Sequence, residues 1–141
     1  MDKHVIDQEI EFAYEAIQNC GICNEKHEVL KAYRSQLSSF GAAISMGSLM
    51  QAIAFFSEQG SASVDRPKIL KAVFEVMKKW KKEKQNITIN QEHIFEYVRD
   101  ERKKGPADGL VCQNDVINAA IALKLAMNLY TLVDDKQKRE E

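Results

Sequence analysis

Hydrophobic residues recur at helical spacing along most of the chain, whereas the alternating pattern that is typical of strands is nearly absent. This periodicity predicts six helices, at about residues 3–19, 25–39, 42–59, 66–84, 91–104 and 115–135. Gly41 marks a turn between the second and third helices, while Asp65 and Asn90 are suitable N-caps for the fourth and fifth. Residues 60–63 and 107–109 are expected to be loops, and residues 136–141 a frayed tail.

Two of these predicted helices, the third and the sixth, are apolar on nearly every side. Between Phe40 and Phe56 only Ser45, Ser48 and Gln51 carry side chains that hydrogen-bond well. A helix that is apolar all round must be buried all round. For the sixth helix the periodicity predicts one inward face, made of Ile117, Ala120, Ile121, Leu125, Leu129 and Leu132 and broadened by Val116, Leu123, Met127 and Tyr130. The sequence therefore predicts an all-α fold, a compact bundle of about six helices around two buried central helices at about 42–59 and 115–135.

Length and charge narrow the class of protein further. A chain of 141 residues with a net charge of −1 is expected to form a single helical domain over residues 1–141. Residues 1–30 hold seven acidic and two basic side chains, whereas residues 66–84 hold eight basic and two acidic ones. Such a dipolar surface suits head-to-tail stacking or the binding of a polyanion on one side.

The N-terminal segment lacks the pattern of a signal peptide, and we expect a cytoplasmic protein with reduced thiols. Residues 40–56 are the only candidate membrane span in the sequence pattern. That stretch is shorter than the ~20 residues that a bilayer requires, and we expect no membrane span.

Cysteine and histidine spacing offers one possible metal motif. Cys20 and Cys23 form a CxxC pair, and His27 follows four residues later. Tetrahedral zinc needs four ligands, usually from two such pairs, and the sequence has only one. We therefore favour two half-buried thiols at a helix end over a zinc-dependent domain or a redox motif. No catalytic constellation is recognisable, so we expect no catalytic residues, no metal, no cofactor and no enzyme activity.

The basic residues of the predicted fourth helix have two possible interpretations, a solvated helix face or a surface that contacts nucleic acid. Lys78, Lys79 and Lys82 lie on the polar side of the predicted fourth helix, where cations are favoured near a helix C-terminus. They could equally contact a nucleic-acid backbone, which adds salt-sensitive affinity without sequence specificity. Lys31 and Arg34 are three residues apart on the second helix and so share a surface patch.

The segment from Tyr33 to Phe55 carries a family resemblance. It contains Tyr33-Arg34-Ser35, Gly41, and then Gly47-Ser48-Leu49-Met50-Gln51-Ala52-Ile53-Ala54-Phe55. This run resembles the signature of the small subunit of the type III-B CRISPR (Cmr) effector complex, the fifth Cmr protein family. That signature has Tyr-basic-Ser, a Pro, and then Asn-Gly-Leu-x-Gln-Ala-Leu-Ala-Phe at the same spacing. Here Gly41 replaces the Pro, Gly47-Ser48 replaces Asn-Gly, and Asn128-Leu129-Tyr130-Thr131 stands where the family often has a Trp-Leu-Lys-Arg-like run.

The resemblance implies a helical, non-catalytic subunit of an antiviral RNA-guided complex. Such subunits stack head to tail as a short filament beside the backbone subunits and line a basic channel for crRNA and target RNA. Leu49, Ala52, Ile53 and Phe55 would then be core residues, and the Gln51 amide would satisfy a buried group.

Within that resemblance, Arg34 falls on the family's basic position. The candidate RNA-backbone contacts are Lys31, Arg34, Lys78, Lys79 and Lys82, the last three on charge alone. The implied partners are the Cmr backbone and large subunits, copies of the chain itself, crRNA and target RNA. The alternative is a small helical protein-interaction module without RNA binding.

Overall fold

The structure is a computed structural model that describes residues 1–59 and 64–134. Its elements are α1 (Lys3–Asn19), β1 (Glu28–Leu30), α2 (Lys31–Met46), α3 (Leu49–Ser57), α4 (Arg66–Gln85), α5 (Ile94–Lys103), α6 (Pro106–Ala126), a 3-10 turn (Met127–Leu129) and β2 (Thr131–Val133). The predicted all-α bundle is confirmed, with one minimal parallel sheet added. The predicted loop at 60–63 and tail at 136–141 lie outside the described residues.

α6 is the centre of the bundle and packs against α1, α2, α4 and α5. Its buried face is rich in small side chains, namely Cys112, Val116, Ala119, Ala120, Ala122, Leu123 and Ala126. Because alanine carries only a methyl group, neighbouring helices can approach this face closely. α1 packs against this face of α6 and buries Ile6, Ala13, Ala16 and Ile17.

The central role of the sixth helix is confirmed, whereas its predicted inward face is partly wrong. Val116, Ala120, Leu123, Met127 and Tyr130 are buried as predicted, but Leu125 and Leu129 are not. Leu125 and Leu129 are 46% and 62% exposed. α6 is apolar on nearly all sides, so hydrophobic spacing alone does not distinguish one face from another. The face with the smallest side chains is buried because it permits the closest helix packing.

The predicted limits of the sixth helix also need correction. α6 begins at Pro106, after Gly105 with a φ of 141°, so the expected loop at 107–109 is helical. Proline suits the first helical turn because its missing N–H would have no partner there. At the other end α6 stops at Ala126, and the chain continues through the 3-10 turn into β2 instead of remaining helical to 135.

β1 and β2 pair in parallel, with Val29 opposite Leu132. Residues 25–30 were predicted to begin the second helix, and this prediction is wrong. The Asn24 side chain organises the entry to β1, because its Oδ1 accepts from the backbone N–H groups of Lys26 at 3.0 Å and Glu28 at 2.9 Å. A three-residue strand whose partner lies so far along the chain leaves no periodic signal in its own sequence.

The long apolar stretch breaks at Gly47, not at Gly41 as predicted. α2 runs through Gly41 to Met46, and Ser48 then caps α3 by accepting from the Gln51 N–H at 3.4 Å. The stretch is therefore two helices with one buried face each. Gln51 and Phe55 are exposed, Phe55 by 55%, so the expectations of a buried amide and a core phenylalanine are both wrong.

Substitution by alanine should have opposite effects on stability at Gly41 and at Gly47. An added Cβ at Gly41 meets no atom within 4 Å, and the position is inside a helix. Gly41→Ala should raise the free energy of unfolding by roughly 0.5–1 kcal/mol. An added Cβ at Gly47 would lie 2.9 Å from the Ala43 carbonyl oxygen, so Gly47→Ala should destabilise the protein. Urea unfolding of both variants checks this pair, and shifts in the same direction would contradict the break at Gly47.

The first and fourth helices agree with prediction. α4 begins after Asp65 with Pro67 in its first turn, and its apolar stripe from Ile69 to Trp80 is buried. The fifth helix starts at Ile94 with His93 at the N-cap, so the predicted cap at Asn90 is wrong.

Membrane spanning has only weak support. The candidate at 40–56 is interrupted at Gly47. Among the described residues one segment, Pro106–Leu129, is long and apolar enough to cross a membrane, and half of it is buried inside the bundle. The core helix of a bundle has this same composition.

Candidate nucleic-acid interface

The first candidate pair, Lys31 and Arg34, lies in the opening turn of α2. β1 leads directly into Lys31, so the strand pairing fixes where this turn begins. Lys31 Nζ lies 3.5 Å from Asp134 Oδ1, and both side chains are more than half exposed. An exposed ion pair of this kind contributes at most about 1 kcal/mol. Lys31 can therefore exchange the carboxylate for a phosphate at little cost.

Arg34 is half-buried, one turn further along α2. Its Nε is buried without a hydrogen-bond partner in the described part of the protein. A guanidinium offers five N–H donors in a rigid fork, which suits phosphate oxygens. Arg34 stands at the position that the family resemblance selects, but its Nε is closed to solvent, so a phosphate can reach that atom only if the side chain moves.

The second candidate set, Lys78, Lys79 and Lys82, lies near the end of α4. Lys79 Nζ pairs with Glu15 Oε2 of α1 at 3.0 Å, and Lys78 Nζ lies 4.7 Å from the centre of the Phe74 ring. Lys82 is exposed and forms no ion pair within the described ranges. The three lysines are therefore not equivalent, and Lys82 is the most accessible to a phosphate.

The structure keeps the two candidate sets apart. Arg66 Nε donates to Gln36 Oε1 at 3.4 Å, so the start of α4 lies beside the first half of α2. Lys82 is sixteen residues further along α4, which corresponds to ~24 Å at 1.5 Å per residue. Lys31 and Arg34 share one patch, and the α4 lysines form a separate one at the other end of that helix.

The acidic and basic segments meet within the bundle, because α1 packs on α4. The Lys79–Glu15 ion pair is one direct contact between them. Part of the charge asymmetry that the sequence displays is therefore neutralised inside a single copy of the chain.

Sequence reasoning missed one basic residue with a distinct role. Lys81 was not selected from the sequence, yet it is 8% exposed, and its Nζ lies 2.9 Å from Asp115 Oδ2 of α6. The signal was its spacing, since Lys81 follows Met77 by four residues on the apolar stripe of α4. Glu9 is similarly placed, three residues after Ile6 on the stripe of α1.

Cys20 and Cys23 are half-buried at the end of α1, as predicted. Burial first, and then the nearby Glu75 carboxylate, raise the pKa of the Cys20 thiol to about 11 against the opposing effect of nearby lysines. Burial likewise raises the pKa of Cys23. These shifts oppose the thiolate that metal binding or disulfide exchange needs. Within residues 1–59 and 64–134, no three His, Cys, Asp or Glu side chains gather to hold a metal ion.

A groove with a mostly apolar lining lies beside the α4 lysines. It has a volume of about 520 Å³, and Leu70, Phe74 and Phe95 line it with Lys71 and Lys78. Cys20, Glu75, Glu92 and His93 also line the groove, which therefore combines aromatic rings with side chains of both charges.

The fold is a small helical bundle, and two separate basic patches lie on α2 and α4. The family model for CRISPR-associated protein (Cas_Cmr5) matches residues 6–125, from α1 to nearly the end of α6. The chain belongs to this family of CRISPR-associated proteins, and the resemblance drawn from the Tyr33–Phe55 segment is confirmed. No curated protein and no solved structure matches the chain significantly.

Proposed function

We propose that the protein is the non-catalytic small subunit of a type III-B CRISPR ribonucleoprotein, acting in the cytoplasm in antiviral defence. It helps to hold the duplex of crRNA and target RNA through phosphate contacts from α2 and α4. The observation that carries this proposal is the family match over residues 6–125, and the exposed side chains of Lys31 and Lys82 support the phosphate contacts. The partners in this proposal are the backbone and large Cmr subunits and further copies of the chain.

The chemistry of these contacts would be independent of sequence. Lysine and arginine neutralise phosphates and release counterions, so affinity falls as salt rises. Lys31 is held by only an exposed ion pair, and Lys82 by none among the described residues. Both side chains can therefore turn toward a phosphate without breaking a buried contact.

Charge reversal at the α2 pair tests the proposal in the assembled complex. Lys31→Glu with Arg34→Glu should weaken target RNA capture by roughly tenfold or more near 0.1 M salt, because two phosphate contacts become repulsive. The slope of log affinity against log salt should also become shallower by about 0.7 for each phosphate that the protein no longer neutralises. Filter binding across a salt series measures both quantities, and circular dichroism checks that the variant folds.

The matched control is Lys3→Glu with Lys103→Glu, which makes the same charge change at two exposed lysines outside both patches. Equal losses of affinity in the two double variants would indicate general electrostatics and would reject the α2 site. Recovery of neither crRNA nor Cmr subunits with the tagged wild-type protein from its host would reject the function itself.

One observation favours a second candidate, a protein-interaction module without RNA binding. Leu110 and Val111 at the start of α6 are 60% and 56% exposed, and Leu125 and Leu129 are exposed further along. These residues lie in two groups near the two ends of α6, and exposed apolar side chains that adjoin one another can mark a surface that binds other proteins. In that case tagged protein would recover protein partners after ribonuclease treatment, and charge reversal on α2 would leave their recovery unchanged.

A further inference from the structure

Three helices each place one ionisable side chain at their common junction. These are Glu9 of α1, Lys81 of α4 and Asp115 of α6, with Glu9 only 2% exposed and Lys81 only 8%. Lys81 Nζ lies 2.9 Å from Asp115 Oδ2 and donates to Gln85 Oε1 at 3.2 Å. Glu9 Oε1 is buried without a hydrogen-bond partner in the described part of the protein. The junction therefore holds two carboxyl groups and one ammonium group.

At neutral pH, two independent carboxyl groups and one ammonium group would all be ionised, with a total charge of −1. A neutral junction therefore needs one additional proton on one of the two carboxyl groups. With all three groups ionised, one negative charge would be left in a site that is nearly closed to water, where an unpaired charge is strongly disfavoured. Asp115 has its lysine at contact distance, whereas Glu9 is the deeper carboxyl and its Oε1 has no partner among the described residues. The proton therefore belongs on Glu9.

The electrostatics agree with this assignment. Burial first, and then the Asp115 carboxylate, raise the pKa of Glu9, whereas Lys81 lowers it, and the net pKa is about 8. Burial also raises the pKa of Asp115, while the contact with Lys81 lowers it and Glu101 raises it. Protonated Glu9 beside an ionised Asp115–Lys81 pair gives a neutral junction at neutral pH.

We propose that Glu9, Lys81 and Asp115 form a proton-linked clasp, which fixes α1 to α4 and α6 while Glu9 is protonated and loosens α1 when Glu9 ionises. α1 responds because Glu9 is the one charged side chain on its buried face. The clasp controls how firmly the bundle holds its acidic N-terminal helix, and with it the Glu15 carboxylate that occupies Lys79.

The direction of the pH effect follows from proton binding. Folded Glu9 keeps its proton up to about pH 8, whereas an unfolded glutamate loses it near 4.5. Between these values the native state binds more protons than the unfolded state, so stability falls as pH rises. The opening equilibrium constant should increase up to about tenfold per pH unit across this window, and level off above pH 8.

Hydrogen exchange of the α1 amides in the full chain tests the clasp from pH 6 to 9. After correction for intrinsic exchange rates, the wild-type protein should lose up to about tenfold protection per pH unit between pH 6 and 8. Glu9→Gln keeps the shape of the neutral acid and should remove most of this dependence. Glu11→Gln, at an exposed site on the same helix, should retain it. Wild-type pH dependence in the Glu9→Gln protein would overturn the proposal.

A second measurement does not depend on any variant folding. The side-chain carboxyl carbon of Glu9, followed by nuclear magnetic resonance in the folded wild-type protein, should titrate near pH 8. A midpoint near 4.5 would overturn the clasp, and it would leave the proposed RNA-binding role untouched because that role uses other residues.

Discussion

Lys81→Met should lower the free energy of unfolding by roughly 3–5 kcal/mol at pH 8, the range found when one partner of a buried ion pair is removed. The ammonium group of Lys81 is the one positive charge in contact with Asp115 in the described part of the chain, and removing it leaves two buried carboxyl groups facing each other. The effect should be smaller at pH 6, since protonation of the carboxyls can then replace the missing charge. Urea unfolding at both pH values measures the effect.

Lys82→Met is the matched control, because Lys82 is the next residue on α4 and is exposed. It should change stability by no more than about 0.5 kcal/mol, as surface substitutions usually do. Similar destabilisation by both variants would mean that net charge or helix propensity matters more than the buried pair.

Phe40→Ala should cost roughly 3–5 kcal/mol, the usual penalty for truncating a fully buried phenylalanine. Phe40 has no exposed surface, and its ring lies 5.0 Å from that of Phe56, centre to centre. This contact joins α2 to α3 across the break at Gly47. Thermal or urea unfolding, with the midpoint and slope compared to wild type, gives the measurement.

Phe55→Ala is the companion variant. It tests whether a residue at a position of the family signature must also be a core residue. Phe55 matches a signature position, yet it is exposed and stacks under the Arg66 guanidinium at 4.5 Å. Its truncation should cost only about 1 kcal/mol, the value of an exposed cation–π contact. A penalty equal to that of Phe40→Ala would mean that Phe55 is buried in solution, contrary to the structure.

Helix positions could be predicted where the pattern is amphipathic. α1 and α4 have one apolar and one charged face, so periodicity located their bounds and most of their buried apolar side chains, but not the buried Glu9 and Lys81. α6 is apolar on nearly all sides, and its buried face is selected by the small volume of Ala119, Ala122 and Ala126. Spacing carries no information about volume, and it therefore pointed to Leu125 and Leu129 instead.

Turn positions show a similar limit. Glycine is compatible with a helix interior as well as a turn, so Gly41 could not be distinguished from Gly47 by residue type alone. The capping side chain of Ser48, one residue after Gly47, was the local signal that favoured the second position.

The candidate interface was predictable in composition but not in geometry. The sequence selected Lys78, Lys79 and Lys82 as one group by charge. Their differences come from Phe74 on the same helix and from Glu15 on α1, which only packing brings near. Lys81 was missed for the same reason, since its acidic partner is supplied by α6.

The parallel pairing of β1 with β2 has a consequence for the order in which the protein assembles. It joins segments about a hundred residues apart, with the helices from α2 to α6 between them. Closing so long a loop is entropically costly until those helices have packed and shortened it. We therefore expect the strand pair to form late, so a substitution that weakens it should accelerate unfolding and leave the refolding rate nearly unchanged in stopped-flow measurements.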